Sequence, residues 1–409
     1  MKNDRGALTI GVDLSCWTNQ RGYGRYTRNV VRALLDCDGP HQFVGFVDAA
    51  TAVNGGIPDG FPVVSVNQSE PPSQAANAFG RRGIRDIGRM SRAVARSGVD
   101  LMFFPSSYSY FPVPPWMRCV VVVHDAIAER WPKLIFPTLS GRVAWTIKSR
   151  LACWQANRVV TVSTAAGKAI RDHLGVSEGR LRVVYEAADP IFGAGEAPGE
   201  PDADVRLRYG LPTDKLLLLY VGGLSPHKNL GALIAAYSRL TAQPEDANLV
   251  HLALVGETER EVFYSAYHQL VAQVRQLGLS ERVTFTGYVP DADLVHLYRT
   301  ATCLILPSRD EGFGLPVVEA MTCGSPVIAS RAGALPELVG DAGLLVDPDD
   351  VEEFSGALRR IAYDPGLRAE LRSRGLRRAS ELSWEKAALN LLRIFHEVGD
   401  PTPASVTVG

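Results

Sequence analysis

Cysteine is sparse in this chain. Six occur among 409 residues, at positions 16, 37, 119, 153, 303 and 323. None forms a Cys-x-x-Cys pair and no histidine cluster accompanies them, which argues against a zinc site. Cys119 and Cys303 lie in apolar runs and read as small buried hydrophobes. Charge of one sign is also missing. The net charge is -1, so nothing draws the whole molecule toward nucleic acid or a membrane. No apolar run is long enough to span a bilayer. Met1–Arg5 leads straight into a strand-like run without a signal-peptide core. No internal repeat is visible. These absences lead us to expect a soluble, reduced, cytoplasmic protein. Lysine is scarce too, with seven in the chain, so the place of each one carries information.

What is present is ample apolar material, 46% of the residues, over a length that suggests two domains. Strand-like runs alternate with helix-like segments throughout. In the first half they are residues 8–12, 43–47, 101–104, 119–123 and 158–162. In the second they are 216–221, 251–255, 282–286, 302–306 and 326–329. Many are continuously apolar, which suits parallel strands buried on both faces. The expected class is therefore α/β, with two doubly wound domains. Residues 193–202, rich in Gly, Pro and acid, read as a linker. The tail 399–409 has no apolar period and is expected to be disordered.

The most informative stretch is Pro307-Ser308-Arg309-Asp310-Glu311-Gly312-Phe313-Gly314-Leu315-Pro316-Val317-Val318-Glu319-Ala320. It follows an apolar strand-like run. Pro316 suits a first helical position and Gly324 the stop. Glu311 then precedes the helix, and Glu319 lies about one turn inside it. The amides near Gly312 and Gly314 have little side-chain cover, and a helix start of that kind attracts phosphate. Two carboxylates beside it can accept hydrogen bonds from sugar hydroxyls. A ligand with both phosphate and sugar fits, which points to a nucleotide-sugar. The plain alternative is a solvated helix residue and a surface loop charge.

This stretch resembles the glutamate–seven residues–glutamate motif of the retaining glycosyltransferases of family 4, in its Glu-Gly-Phe-Gly-Leu-Pro form. The resemblance continues through Met321–Ser330, Leu335–Ala342 and Ser383–Ala388, with a weaker collinear match over the first half. It implies the GT-B fold, two Rossmann-like domains facing across a cleft. Residues 1–192 would bind the acceptor and 205–383 the nucleotide-sugar, with a last helix at 384–398 returning to the first domain. It also implies retaining transfer of a sugar from a nucleotide diphosphate to an acceptor hydroxyl, without a metal or other cofactor. Glu311 would hold the sugar and Glu319 the ribose. Gly312, Phe313, Gly314 and Leu315 would line the donor site.

Other motifs follow. In Tyr220-Val221-Gly222-Gly223-Leu224-Ser225-Pro226-His227-Lys228-Asn229, Lys228 suits a diphosphate ligand, or else an ordinary surface lysine. The family's usual preceding arginine is missing, and Gly223 and His227 stand where one is often found. His227, when protonated, is a candidate helper. Arg21-Gly22-Tyr23-Gly24-Arg25 reads either as a flexible turn or as a glycine loop, through Gly22 and Gly24, approaching the donor from the other domain. By resemblance His124 lies near the transferred sugar, to hold a hydroxyl or orient the acceptor. Asp125 would orient His124 or touch the acceptor. The Asp-x-Asp pairs 36–38, 202–204, 291–293 and 347–349 read as turn and capping chemistry, not a metal site.

Arg81, Arg85, Arg89, Arg92 and Arg96 form one helical stripe, opposed by Ile84, Ile87 and Val94. The segment 130–182 holds ten Lys/Arg against two Asp/Glu. The preferred reading is a solvated face, with weak contact at an anionic membrane as the alternative. The expected partners are a nucleotide-sugar donor and a saccharide, lipid-linked or small-molecule acceptor, with no nucleic acid. Two other classes remain: a nucleotide-sugar epimerase of similar architecture and a non-catalytic nucleotide-sugar binder.

Overall fold

The computed structural model describes residues 7–20, 22–68, 83–136, 138–193, 201–258 and 265–399. Arg21, Arg81, most of the 193–202 segment and residues 400–409 lie outside the described residues.

Two parallel sheets organise the chain. The first contains β1 (Thr9–Asp13), β2 (Gln42–Asp48), β3 (Val63–Val66), β4 (Leu101–Phe104), β5 (Arg118–Val122), β6 (Arg158–Thr161) and β7 (Leu181–Val183), in spatial order β3-β2-β1-β4-β5-β6-β7. The second contains β8 (Leu216–Val221), β9 (Val250–Val255), β10 (Val283–Gly287), β11 (Ala301–Leu306), β12 (Val327–Ser330) and β13 (Leu344–Val346), in order β10-β9-β8-β11-β12-β13. Central strands such as β4 and β11 are buried at every residue. That explains their unbroken apolar sequences, since helices cover both faces. The strands that the apolar pattern does not reveal are β3, β7 and β13. All three lie at sheet edges, are three or four residues long and are only partly buried.

Strand order reverses between β1 and β4 and again between β8 and β11. Loops leave such points on opposite sides of the sheet and open a crevice at the strands' carboxyl ends. The two crevices face each other.

The last helix, Trp384–Gly399, packs on the first sheet. The Phe395 ring meets Phe103 edge-on at 5.0 Å, and the Trp384 indole N–H donates to the Ala188 carbonyl at 2.9 Å. Glu397 pairs with both Arg158 and Arg182 at 2.6 Å. One apolar cluster therefore runs from Ile10 and Val12 through Leu217 to Phe395.

The helix Ile84–Arg96 corrects one expectation. Ile84 is 89% exposed, and the buried side is Asp86, Met90 and Val94. Asp86 is accommodated because Arg89 pairs with it at 3.1 Å. Arg85, Arg89, Arg92 and Arg96 are exposed. Among the described residues all six cysteines are free, and no helix is long and apolar enough to cross a membrane.

Candidate active site

The second sheet brings two loops together at its reversal point. After β8 the chain passes Gly222 and Gly223, whose carbonyl accepts from the Tyr220 hydroxyl at 2.5 Å, and enters a 3-10 turn, Pro226–Lys228. After β11 it passes Ser308 to Glu311. Lys228 Nζ donates to Glu311 Oε1 at 2.7 Å, and Ser308 Oγ donates to the same oxygen at 2.6 Å. Asn229 takes a left-handed φ of 60°, which asparagine tolerates better than most residues. Its amide donates to the carbonyls of Pro307 (3.2 Å) and Pro348 (2.6 Å), fixing the lysine loop to the glutamate loop. Burial opposes charge on Glu311, but Lys228 and Ser308 outweigh it and hold the carboxyl below its ordinary range.

The helix Leu315–Thr322 starts from Gly314, whose φ of 107° is a glycine conformation, and no side chain caps it. Phe313 and Leu315 are buried beside it. Gly312 sits against the first domain so closely that a Cβ would lie 2.4 Å from the His124 carbonyl oxygen. Its own carbonyl accepts from Ser163 Oγ at 2.5 Å. Gly22, which opens the helix Gly22–Asp36, faces Leu315, and Gly24 packs on the Asn19 carbonyl. Gly22 and Gly312 therefore lie where the two domains meet, while Gly24 packs within the first domain.

Glu319 is 1% exposed. Tyr298 donates to its Oε2 at 2.9 Å, while Arg25 of the first domain ion-pairs with Oε1 and with Asp291. Burial raises the Glu319 carboxyl despite Arg25 and Tyr298. The two motif glutamates are thus pushed in opposite directions. Lys228 and Ser308 favour the ionised form of Glu311, whereas at Glu319 burial outweighs the opposing pull of Arg25 and Tyr298.

Two histidines behave differently from expectation. His124 follows β5 into the cleft wall, but its Nε2 meets the Pro105 carbonyl at 3.0 Å and its Nδ1 meets Glu186 at 3.1 Å. A carbonyl only accepts, so Nε2 carries the hydrogen. In this arrangement no ring nitrogen is left for a sugar hydroxyl. His124 instead orders the strand end that supports Gly312. His227 was expected to assist the phosphates as a cation. Burial, reinforced by Lys228, pushes it down to about 4, so at neutral pH it is uncharged. Asp125 accepts from the Ile127 amide at 2.9 Å, and burial pushes its carboxyl up to about 6.

With this geometry in view, two family models match. One, described as Glycosyltransferase Family 4, matches residues 21–191; the other, Glycosyl transferases group 1, matches residues 203–378. The chain belongs to the family-4, group-1 glycosyltransferases. It is 35% identical over 252 residues to a D-inositol 3-phosphate glycosyltransferase of Acidothermus cellulolyticus, covering 59% of this chain and 53% of that protein. It is 37% identical over 177 residues to an O-antigen chain mannosyltransferase B of Escherichia coli, covering 43% and 45%. The chain spans about half the length of these curated relatives. The solved structure of Anabaena HepE in complex with UDP and glucose superposes with a TM-score of 0.70 at 19% identity, covering 95% of this chain and 99% of that one. The fold is GT-B.

Within this family frame, five of the eight Asp-x-Asp carboxylates meet partners inside the protein. Asp202 meets His296, Asp291 meets Arg25, Asp293 meets Arg208 and Tyr209, Asp347 accepts from the Asp349 amide, and Asp349 meets Arg309. Sequence reasoning passed over Arg25, Tyr298, Ser308, and the Arg130–Asp310 pair at 3.0 Å, which Trp131 joins with its indole N–H at 3.2 Å. Arg25 could have been noticed as the cation inside the glycine loop. Nothing in the local sequence marks Tyr298 or the Arg130–Asp310 pair, whose partners lie 21 and 180 residues along the chain, whereas Ser308 stands three residues from Glu311 inside the motif itself.

Proposed function

We propose that the protein is a retaining glycosyltransferase that moves a sugar from a nucleotide diphosphate to an acceptor hydroxyl without a metal. The observation that carries this reading is the Lys228–Glu311 pair set beside the uncapped helix start at Gly314. Breaking the anomeric C–O bond leaves negative charge on the diphosphate. Lys228 and the amides after Gly312 would stabilise it, in a site walled off by the first domain. Glu311 would accept from the sugar hydroxyls and orient the anomeric carbon. Glu319 would accept from the ribose hydroxyls. A front-face displacement, in which the departing oxygen takes the acceptor proton, needs no protein base and suits a site where both ring nitrogens of His124 are already engaged. HepE has been solved with UDP and glucose, which supports a nucleotide-sugar donor here. The curated relatives support a saccharide or polyol acceptor. The protein is proposed to act in the cytoplasm, with at most weak contact at the membrane surface.

A thermal-shift panel of UDP-, GDP- and dTDP-sugars tests the donor, because a ligand at a hundred times its Kd stabilises by about 2.7 kcal/mol. One donor class should raise the melting temperature. Turnover of that donor should require an acceptor, which separates transfer from epimerisation. Glu319→Ala should weaken free nucleotide diphosphate binding by about 1–3 kcal/mol in calorimetry. Unchanged affinity in a folded variant would remove the ribose role.

A further inference from the structure

Arg25 lies one turn into the helix Gly22–Asp36 of the first domain, yet both of its ion-pair partners belong to the second. One terminal nitrogen bonds Glu319 Oε1 and the other bonds Asp291 Oδ1. The guanidinium carbon sits 5.5 Å from the Phe192 ring centroid, and the side chain is 14% exposed. Its Nε is buried with no hydrogen-bond partner, so the group is placed for the two carboxylates at the expense of one donor.

We propose that Arg25 is a positioning residue of the donor site supplied by the opposite domain, holding the Glu319 carboxylate in place for the nucleotide. The inference rests on the reading of Glu319 as the ribose acceptor. Glu319 Oε2 already accepts from Tyr298, and Oε1 accepts from Arg25 while keeping a second lone pair for a ribose hydroxyl. A carboxylate buried this deeply tends to take up a proton, and a protonated one is a poorer acceptor. Arg25 is the cation that opposes this. The other groups around the pair are Asp291 and Tyr298 on one helix, Cys323 at the end of the Glu319 helix, and Arg28 and Asp189 beside Arg25. None of these except Arg25 is a cation acting on Glu319.

A simpler role would be a tie that only holds the domains together. The Arg130–Asp310 pair does that without touching Glu319, and provides the control. The test is calorimetric binding between pH 6 and 8.5 of whichever of UDP-glucose, GDP-mannose or dTDP-rhamnose the wild type takes. Their diphosphates do not titrate in this range. Wild type, Arg25→Met, Arg25→Lys, Glu319→Gln, the Arg25→Met/Glu319→Gln double variant and Arg130→Met are compared, with circular dichroism confirming folding. At pH 6, Arg25→Met should bind about tenfold more weakly than wild type, the equivalent of one charge-assisted hydrogen bond. It should recover as pH rises and Glu319 ionises. Arg25→Lys should restore part of the loss. Glu319→Gln should be weak at every pH, with the double variant no weaker. Arg130→Met should show no new pH slope.

Wild-type-like binding by Arg25→Met at every pH, with Glu319→Gln weakened, would overturn this inference and leave the donor reading standing. A pH-independent loss matched by Arg130→Met would reduce Arg25 to a tie and also overturn it. Full affinity in Glu319→Gln would overturn the donor reading and this inference together.

Discussion

Replacing Lys228 with methionine isolates the electrostatics of the donor loop. The substitution keeps the length of the side chain and removes the cation 2.7 Å from Glu311. Removing one partner of a buried ion pair costs about 3–5 kcal/mol, because the remaining charge is left uncompensated. Two features lower that figure here. The Lys228 side chain is 19% exposed, so water reaches the pair, and Ser308 keeps one hydrogen bond to the same oxygen. A loss of about 2–3 kcal/mol follows. Over 409 residues that lowers the melting temperature by about 2–4 °C.

The pH dependence has a definite sign. In the wild type Glu311 is held below its ordinary value of 4.5. Its contribution to stability is therefore present above that value and lost as pH falls below it. Without Lys228, burial acts nearly unopposed and raises the carboxyl above its unfolded value. The cost is then fully felt at neutral pH and disappears as pH falls through the raised value. Scanning calorimetry should show a larger gap between variant and wild type at pH 7.5 than at pH 5. Adding Glu311→Gln should recover most of the loss. Equal gaps at the two pH values would mean that the lysine contributes packing rather than charge, and would refute the reasoning.

Glu311→Ala should leave the affinity for free nucleotide diphosphate nearly intact while strongly reducing turnover; equal loss of nucleotide affinity in calorimetry would place the wrong end of the ligand at this residue. Gly312→Ala should reduce turnover at least tenfold with unchanged far-ultraviolet circular dichroism, since the added Cβ would lie 2.4 Å from the His124 carbonyl oxygen and push the domains apart; small-angle scattering should show a more open particle. Activity should survive EDTA, because Lys228 and backbone amides would carry the leaving-group charge; loss restored by Mg²⁺ or Mn²⁺ would instead promote one of the Asp-x-Asp pairs.

Parallel strands buried on both faces must be continuously apolar, so the local sequence alone determined β1, β4, β8, β11 and their neighbours. The edge strands β3, β7 and β13 were illegible because three or four half-exposed residues carry no periodic signal. The glycines of the donor loop were legible as turn residues, while the roles of Glu311 and Lys228 came from the family resemblance, since spacing alone also fits a loop charge and a surface lysine. What each group touches was decided only by the tertiary structure. The His124 ring is consumed by Pro105 and Glu186, 19 and 62 residues away, which no local spacing reveals. His227 loses its charge because the fold buries it beside Lys228. Asp86 displaces Ile84 from the buried side of its helix because the fold, not the helix, sets which side meets the core. Arg25 reaches Glu319 across 294 residues of chain. Hydrophobic pattern and turn chemistry act between near neighbours and can be read in order. Ion pairs and desolvation act through space: those of His124 and His227 need one folded domain, and that of Arg25 exists only once the two domains have closed on each other.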